Sequence, residues 1–182
     1  ENAFRDVNIA FANELSMICD DLDIDANELI DIANYHPRVN ILKPGCGVGG
    51  HCIAIDPWFI AAQSPNRSKL IQTARKVNNE KTRWVITKLK EEILELEKKL
   101  SKSPIIGCLG LSFKPNIDDL RESPALLITN ELINSGYKIL SCEPNIKFHP
   151  SIQLSNLDEI LEKSDLLIFL VGHDCFKDLN LS

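Results

Sequence analysis

Ser101-Lys102-Ser103-Pro104-Ile105-Ile106-Gly107-Cys108-Leu109-Gly110-Leu111 joins two kinds of sequence. The first four residues read as a linker, and the apolar run 105–111 has the length and composition of a buried strand. Ser123-Pro124 then sets a capping residue and an N1 proline ahead of a helix over 125–134, which Ser135-Gly136 closes. Residues 138–142 form a second apolar run. Asn156 and Glu159 can cap a helix reaching Lys163, and 165–171 is a third strand. Strand, helix, strand, helix, strand implies a parallel sheet with right-handed crossovers. Residues 104–182 are therefore expected to be a small doubly wound, Rossmann-like α/β domain.

Upstream, the period changes. Phe4, Val7, Phe11, Leu15 and Ile18 recur at spacings of three and four, the mark of one helix face. Asp25 and Glu28 form a capping-box pattern that starts a second helix, running to about Asn34, and His36-Pro37 ends it. A short helix is expected near 57–62 and a long one from Ser68 to about Leu100, with Leu89, Ile93, Leu96 and Leu100 as a stripe able to face a partner helix. Residues 1–101 thus read as an all-helical domain, and the chain as a whole as α/β.

The 182 residues carry 20 Lys+Arg against 26 Asp+Glu, a net charge of −6, which argues against a general nucleic-acid binder. The apolar runs fall short of the roughly 18 residues of a membrane span. Six cysteines lie in a chain with an ordinary apolar fraction and no visible export signal, and no C-x-x-C occurs. The expectation is a cytoplasmic, reduced protein without a structural metal. The chain begins at Glu1 in a helical pattern, which suggests a piece of a longer protein.

Residues 43–57, Lys-Pro-Gly-Cys-Gly-Val-Gly-Gly-His-Cys-Ile-Ala-Ile-Asp-Pro, carry the densest chemistry. Four glycines between Gly45 and Gly50 exclude a regular element and let backbone approach a ligand. They also give access to Cys52, a nucleophile when it is thiolate. Asp56 lies one turn further on. As a carboxylate it would raise a neighbouring thiol's pKa, so it better suits orienting water or a lysine. A tight loop with a buried cysteine is an equally good reading of composition alone. Neither a Cys-His pair from His51 and Cys52 nor a metal site from Cys46, His51 and Cys52 fits a common arrangement.

A second segment, 107–124, leads from a strand through Lys114 and Arg121 to a helix N-terminus, a junction suited to anions. The fingerprint G-x-G-x-x-G is absent from the chain, so this domain can hold a nucleotide's phosphates but shows no sign of holding a whole NAD. A third group is Asn2, Arg5, His36 and Arg38. Asn2 and Arg5 share a helix face. Taken alone, all four also read as solvated face residues.

Taken together, the segments 1–16, 36–40 (His-Pro-Arg-Val-Asn), 47–53 (Gly-Val-Gly-Gly-His-Cys-Ile), 56–60 (Asp-Pro-Trp-Phe-Ile) and 113–124 (Phe-Lys-Pro-Asn-Ile-Asp-Asp-Leu-Arg-Glu-Ser-Pro) resemble the UDP-glucose/GDP-mannose dehydrogenase family. The Gly-His-Cys and Asp-Pro-Trp-Phe forms are more similar to the bacterial UDP-N-acetyl-D-mannosamine branch than to the UDP-glucose branch. The resemblance implies an N-terminal NAD-binding domain, a central helical dimerisation domain (here 1–101) and a C-terminal UDP-binding domain (here 104–182). It implies oxidation of the sugar C6 alcohol, with NAD as acceptor, through a thiohemiacetal and a thioester on cysteine, in the service of polysaccharide biosynthesis.

By position, the resemblance assigns Cys52 as nucleophile, with Asp56 and Asn2 as further catalytic residues. It assigns Arg5, His36, Arg38, Gly49, Phe113 and Lys114 to the substrate, and Arg121 to the NAD phosphates. It implies a UDP-sugar substrate, a homodimer through the central helices, and neither nucleic acid nor membrane as partner. The family's NAD domain and its catalytic lysine would lie upstream of Glu1, and the C-terminal domain is expected to stop early. Cys46 stands where relatives usually have proline. Other UDP-hexoses as substrate, or a non-catalytic UDP-binding dimerisation module, are also compatible with these residues.

Overall fold

The computed structural model describes residues 1–177 and Leu179, so positions 178 and 180–182 of the expected α/β domain lie outside the described residues. The chain divides into two compact units, Glu1–Trp84 and Val85–Ser182. Among the described residues there are six α-helices and three strands, an α/β protein as the sequence implies.

The first unit contains α1 (Asn2–Asp21), α2 (Ala26–Ala33), α3 (Asp56–Gln63) and the first part of α4 (Lys69–Leu100). Asp25 caps α2, accepting from the N–H groups of Asn27 and Glu28 at 2.7 and 3.2 Å. The apolar stripe of α1 does not face inward. Phe4 is 73% exposed, Phe11 55% and Ile18 48%. The buried face is instead Asp6, Ala10, Asn13, Ser16 and Cys19, again at helical spacing. It meets an equally polar stripe of α4: Arg75, Asn78, Lys81 and Thr82, all buried.

In this seam Arg75 Nη1 donates to Asp6 Oδ1 at 2.6 Å, and Asn78 Nδ2 donates to the same oxygen at 2.8 Å. Asn13 Nδ2 donates to Asn78 Oδ1 at 2.9 Å. Lys81 Nζ donates to Ser16 Oγ at 2.9 Å and lies 3.9 Å from the Trp84 ring centroid. Burial pushes the Asp6 carboxyl up from its ordinary value, opposed by Arg75, and lowers the Lys81 ammonium to about 8.

The second unit is a three-stranded parallel sheet of order β2-β1-β3, with β1 Ile105–Leu109, β2 Lys138–Cys142 and β3 Leu166–Phe169. α5 (Pro124–Asn134) connects β1 to β2, and α6 (Leu157–Lys163) connects β2 to β3. Because the sheet grows in both directions from β1, right-handed crossovers place α5 and α6 on opposite faces. The core is apolar: Ile106, Leu109, Ile128, Leu132 and Ile160 are wholly buried. Ser123 caps α5 through its Oγ. Gly136, at φ +88°, ends it in a Schellman turn, with Gly136 N–H donating to Ile133 O and Tyr137 N–H to Leu132 O. Within the α4 stripe, Ile93 is wholly buried inside the chain, whereas Leu100 is 39% exposed.

Candidate functional site

In the first unit, the glycine-rich segment is held at its entry by both long helices. Asn13 Oδ1 on α1 accepts from Gly45 N–H at 2.9 Å, and Thr82 Oγ1 on α4 donates to Cys46 O at 2.9 Å. Gly47 (φ 143°) and Gly50 (φ 85°) then take backbone angles that side-chain-bearing residues avoid. Gly49 and Gly50 are buried, His51 is exposed and Cys52 is half-buried. The chain turns at once. Cys52 O accepts from Ile55 N–H at 3.1 Å and from Asp56 N–H at 2.8 Å, so Asp56 opens α3 one turn after the cysteine.

Asp56 Oδ2 accepts from Asn2 Nδ2 at 2.6 Å, which brings the first residue of α1 to the first residue of α3. The structure therefore links Asn2 to Asp56, 54 positions apart, and Asp56 to Cys52, through two hydrogen bonds, the second of them between backbone atoms. Cys52 is linked to this pair through its backbone carbonyl, one turn before the Asp56 carboxylate that Asn2 holds. Arg5 is exposed one turn along α1 from Asn2. His36 and Arg38 sit on the exposed turn after α2, where His36 Nδ1 accepts from Arg38 N–H at 3.3 Å. The hydrogen bonds joining Asn2, Asp56 and Cys52 do not include these three. All six cysteines are free thiols. Burial pushes the Cys46 thiol up to about 11, as it does for Cys108 and Cys142.

In the second unit, the loop after β1 carries Phe113, half-buried, and Lys114, exposed, with Lys114 Nζ 5.8 Å from the Phe113 ring centroid. Arg121 is folded onto Asp119: Nη2 lies 2.6 Å from Oδ2 and Nε lies 2.9 Å from Oδ1. It borders an open cavity of about 670 Å³, also lined by Asp118, Lys147, Phe148 and His149.

The usual dinucleotide berth of such a sheet is filled by protein. A Cβ at Gly110 would lie 2.5 Å from Val171 Cβ, and one at Gly107 would lie 2.5 Å from Ile160 Cγ2. Both glycines thus serve internal packing rather than approach of a pyrophosphate. Glu143, the acid directly after β2, is turned inward: its Oε2 accepts from Leu111 N–H at 2.7 Å and Ser112 N–H at 2.9 Å. It does not present a carboxylate to a ribose. The crevice of this unit does not fit NAD, and Arg121, the residue assigned to its phosphates, is exposed and ion-paired with Asp119.

Sequence reasoning passed over Glu143 and its partner His173, and over the Asp6–Arg75–Asn78–Asn13 seam. Glu143 did leave a trace, an acid followed by proline at the end of a strand. The seam left almost none, because polar residues at helical spacing read as a solvated face.

Comparison with known proteins agrees with the two-part fold. Residues 1–80 match the central domain of the UDP-glucose/GDP-mannose dehydrogenase family, and residues 107–182 match its UDP binding domain. The chain is 55% identical to the UDP-N-acetyl-D-mannosamine dehydrogenase of Escherichia coli (strain K12), over 99% of this chain and 45% of that protein. It is 50% identical to the NDP-N-acetyl-D-galactosaminuronic acid dehydrogenase of Ralstonia solanacearum, over 99% of this chain and 43% of that protein. Among solved structures, the UDP-N-acetyl-mannosamine dehydrogenase of S. aureus superposes with a TM-score of 0.83 at 41% identity, covering 99% of this chain and 42% of that one. The chain thus spans less than half the length of these relatives. With both halves matched in order, the chain belongs to the UDP-glucose/GDP-mannose dehydrogenase family, of which it carries the central and UDP-binding domains.

Proposed function

We propose that this chain works as the central and UDP-binding part of an NAD-dependent UDP-sugar 6-dehydrogenase, with UDP-N-acetyl-D-mannosamine as its substrate. The observation that carries the reading is the joining of Cys52, Asp56 and Asn2 at the exit of the glycine-rich segment. NAD, when bound, supplies a two-electron acceptor for each of two oxidations at C6. Cys52 Sγ adds to the C6 aldehyde to give a thiohemiacetal, whose further oxidation leaves a thioester. Water attacks the thioester carbonyl, the thiol departs, and the uronate is released with one proton. Asp56, fixed by Asn2, is placed to receive a proton from the attacking water, and Asn2 to donate to the developing oxyanion.

Arg5, His36 and Arg38 are exposed donors suited to the sugar and its phosphates, and Gly49, which carries no side chain, brings backbone to the sugar. Phe113 and Lys114 suit the uridine diphosphate, as a ring face and a cation side by side. Arg121 contacts the cofactor phosphates. The exposed stripe of Phe4, Phe11 and Ile18 on α1, with Leu22 just past its end, supports a homodimer through the central helices. No helix among the described residues is long and apolar enough to cross a membrane.

The test is turnover by the full-length enzyme containing this chain, offered UDP-N-acetylmannosamine, UDP-N-acetylglucosamine, UDP-N-acetylgalactosamine and UDP-glucose. Uronate forms fastest from the first, and Cys52→Ser abolishes it while leaving UDP binding within ~2-fold, since the hydroxyl is a far weaker nucleophile at neutral pH. Full turnover by Cys52→Ser sinks the mechanism. A preference for another sugar moves the substrate and leaves the mechanism standing.

A further inference from the structure

The carboxyl ends of the three strands are tied together by two side chains with no assigned part in the reaction. Glu143 follows β2 and is 4% exposed; His173 follows β3 and is wholly buried. Glu143 Oε2 holds the N–H groups of Leu111 and Ser112, at the start of the loop after β1. His173 holds the far side of the same loop, because its Nδ1 accepts from Asn116 N–H at 3.0 Å. With Nδ1 an acceptor, Nε2 carries the hydrogen, and it faces Glu143 Oε2 at 3.2 Å.

Only Phe113, Lys114 and Pro115 lie between the two held points. Inside that span, Ser112 Oγ donates to Lys114 O at 2.9 Å. Asn116, at φ 62°, is pinned again from its side chain: its Nδ2 donates to Asp174 Oδ2 at 2.7 Å and its Oδ1 accepts from Asp174 N–H at 3.0 Å. A left-handed residue persists where its surroundings over-determine it. This set of bonds surrounds an exposed loop. It fixes the backbone that presents one aromatic ring and one cation.

We propose that Glu143 and His173 are positioning residues for the nucleotide, setting the Phe113-Lys114 backbone in its UDP-binding form before the ligand arrives. The proposal rests on the reading that Phe113 and Lys114 hold UDP. Pre-organisation of this kind raises affinity by removing the ordering cost from the binding step.

The two arms of His173 are separable. His173→Asn keeps an acceptor near the place of Nδ1 and loses the reach to Glu143. His173→Gln keeps a donor near the place of Nε2 and loses the acceptor for Asn116. Titration calorimetry of the full-length enzyme containing this chain with UDP is the measurement, with thermal melting alongside. Coupling within a shared network predicts that His173→Gln raises the UDP Kd ~10-fold and His173→Asn less than ~3-fold. It also predicts that His173→Gln costs less than ~3-fold more when added to Lys114→Ala. Ile160→Val, a core change in the same unit, lowers the melting temperature and leaves Kd unchanged.

If His173→Gln does not fold, Ser112→Ala removes the bond to Lys114 O together with the 3.4 Å contact between Ser112 Oγ and His173 Nε2, and it raises Kd ~3-fold in the same coupled manner. Wild-type UDP affinity in a folded His173→Gln or Ser112→Ala chain, or losses that simply add to that of Lys114→Ala, overturn the proposal and leave the UDP reading intact. A wild-type chain that does not bind UDP, or a Lys114→Ala chain that binds it unchanged, overturns the UDP reading and this proposal with it.

Discussion

The two units are held together by opposite means. In Val85–Ser182 the sheet and its helices close on wholly buried Ile106, Leu109, Ile128, Leu132 and Ile160. In Glu1–Trp84 the seam between α1 and α4 is built from Asp6, Asn13, Ser16, Arg75, Asn78 and Lys81, while Phe4 and Phe11 of α1 stand exposed. An apolar core tolerates substitutions that keep its volume, because its attraction is non-directional. A buried polar seam depends on each partner, because a stranded charge or amide bears its full desolvation cost. The same seam supplies Asn13 Oδ1 to Gly45 and Thr82 Oγ1 to Cys46. Its directionality is therefore spent on the entry to the cysteine segment, where placement matters most.

The comparison breaks most readily at Arg75. Arg75→Met leaves the Asp6 carboxylate buried without its ion partner, and the first unit loses about 3–5 kcal/mol. Pairing it with Asp6→Leu restores most of that loss. Both tryptophans, Trp58 and Trp84, belong to this unit, so urea unfolding followed by their fluorescence reads it selectively. An Arg75→Met midpoint equal to wild type would mean that the seam contributes nothing.

In the second unit the sensitive quantity is volume. Gly107→Ala puts a Cβ 2.5 Å from Ile160 Cγ2, 2.7 Å from Ser164 Oγ and 2.9 Å from Leu167 Cδ2. The overpacking costs about 1–3 kcal/mol, read as faster amide exchange along β1 with the tryptophan transition unmoved. A shift of that transition instead would tie the two units into one cooperative block.

The smallest effect is a slope. Burial lowers Lys81 to about 8 from 10.5, so between those values the unfolded chain holds a proton that the folded one has released. Stability of the first unit from this group therefore rises with pH across that window. Lys81→Met removes the contribution, and the difference in midpoint between the two chains, followed from pH 7.5 to 10, gives it directly. Parallel curves would show that Lys81 keeps its proton in the fold.

Much of this was legible beforehand. The strand-helix alternation after Pro104, the Ser123-Pro124 start and the Ser135-Gly136 stop are local signals, because caps and glycine turns are set by neighbouring backbone. The parallel sheet follows from that alternation, although its order β2-β1-β3 does not, and Cys52 with Asp56 stood out because four glycines precede a nucleophile. Which face of α1 turns inward was not legible. Phe4, Phe11 and Ile18 mark the side that periodicity would bury, and the chain buries the other.

By itself, then, the sequence determined the order of elements, their limits and the family, because those depend on period, capping and short motifs. Tertiary structure alone decided that Asn2 meets Asp56, that Glu143 turns inward to hold a loop instead of a ribose, and that Arg75 and Lys81 lie inside. A polar residue is worth burying only when its partner arrives from elsewhere in the chain. Asp6 and Arg75 are 69 positions apart, and no local pattern announces that meeting.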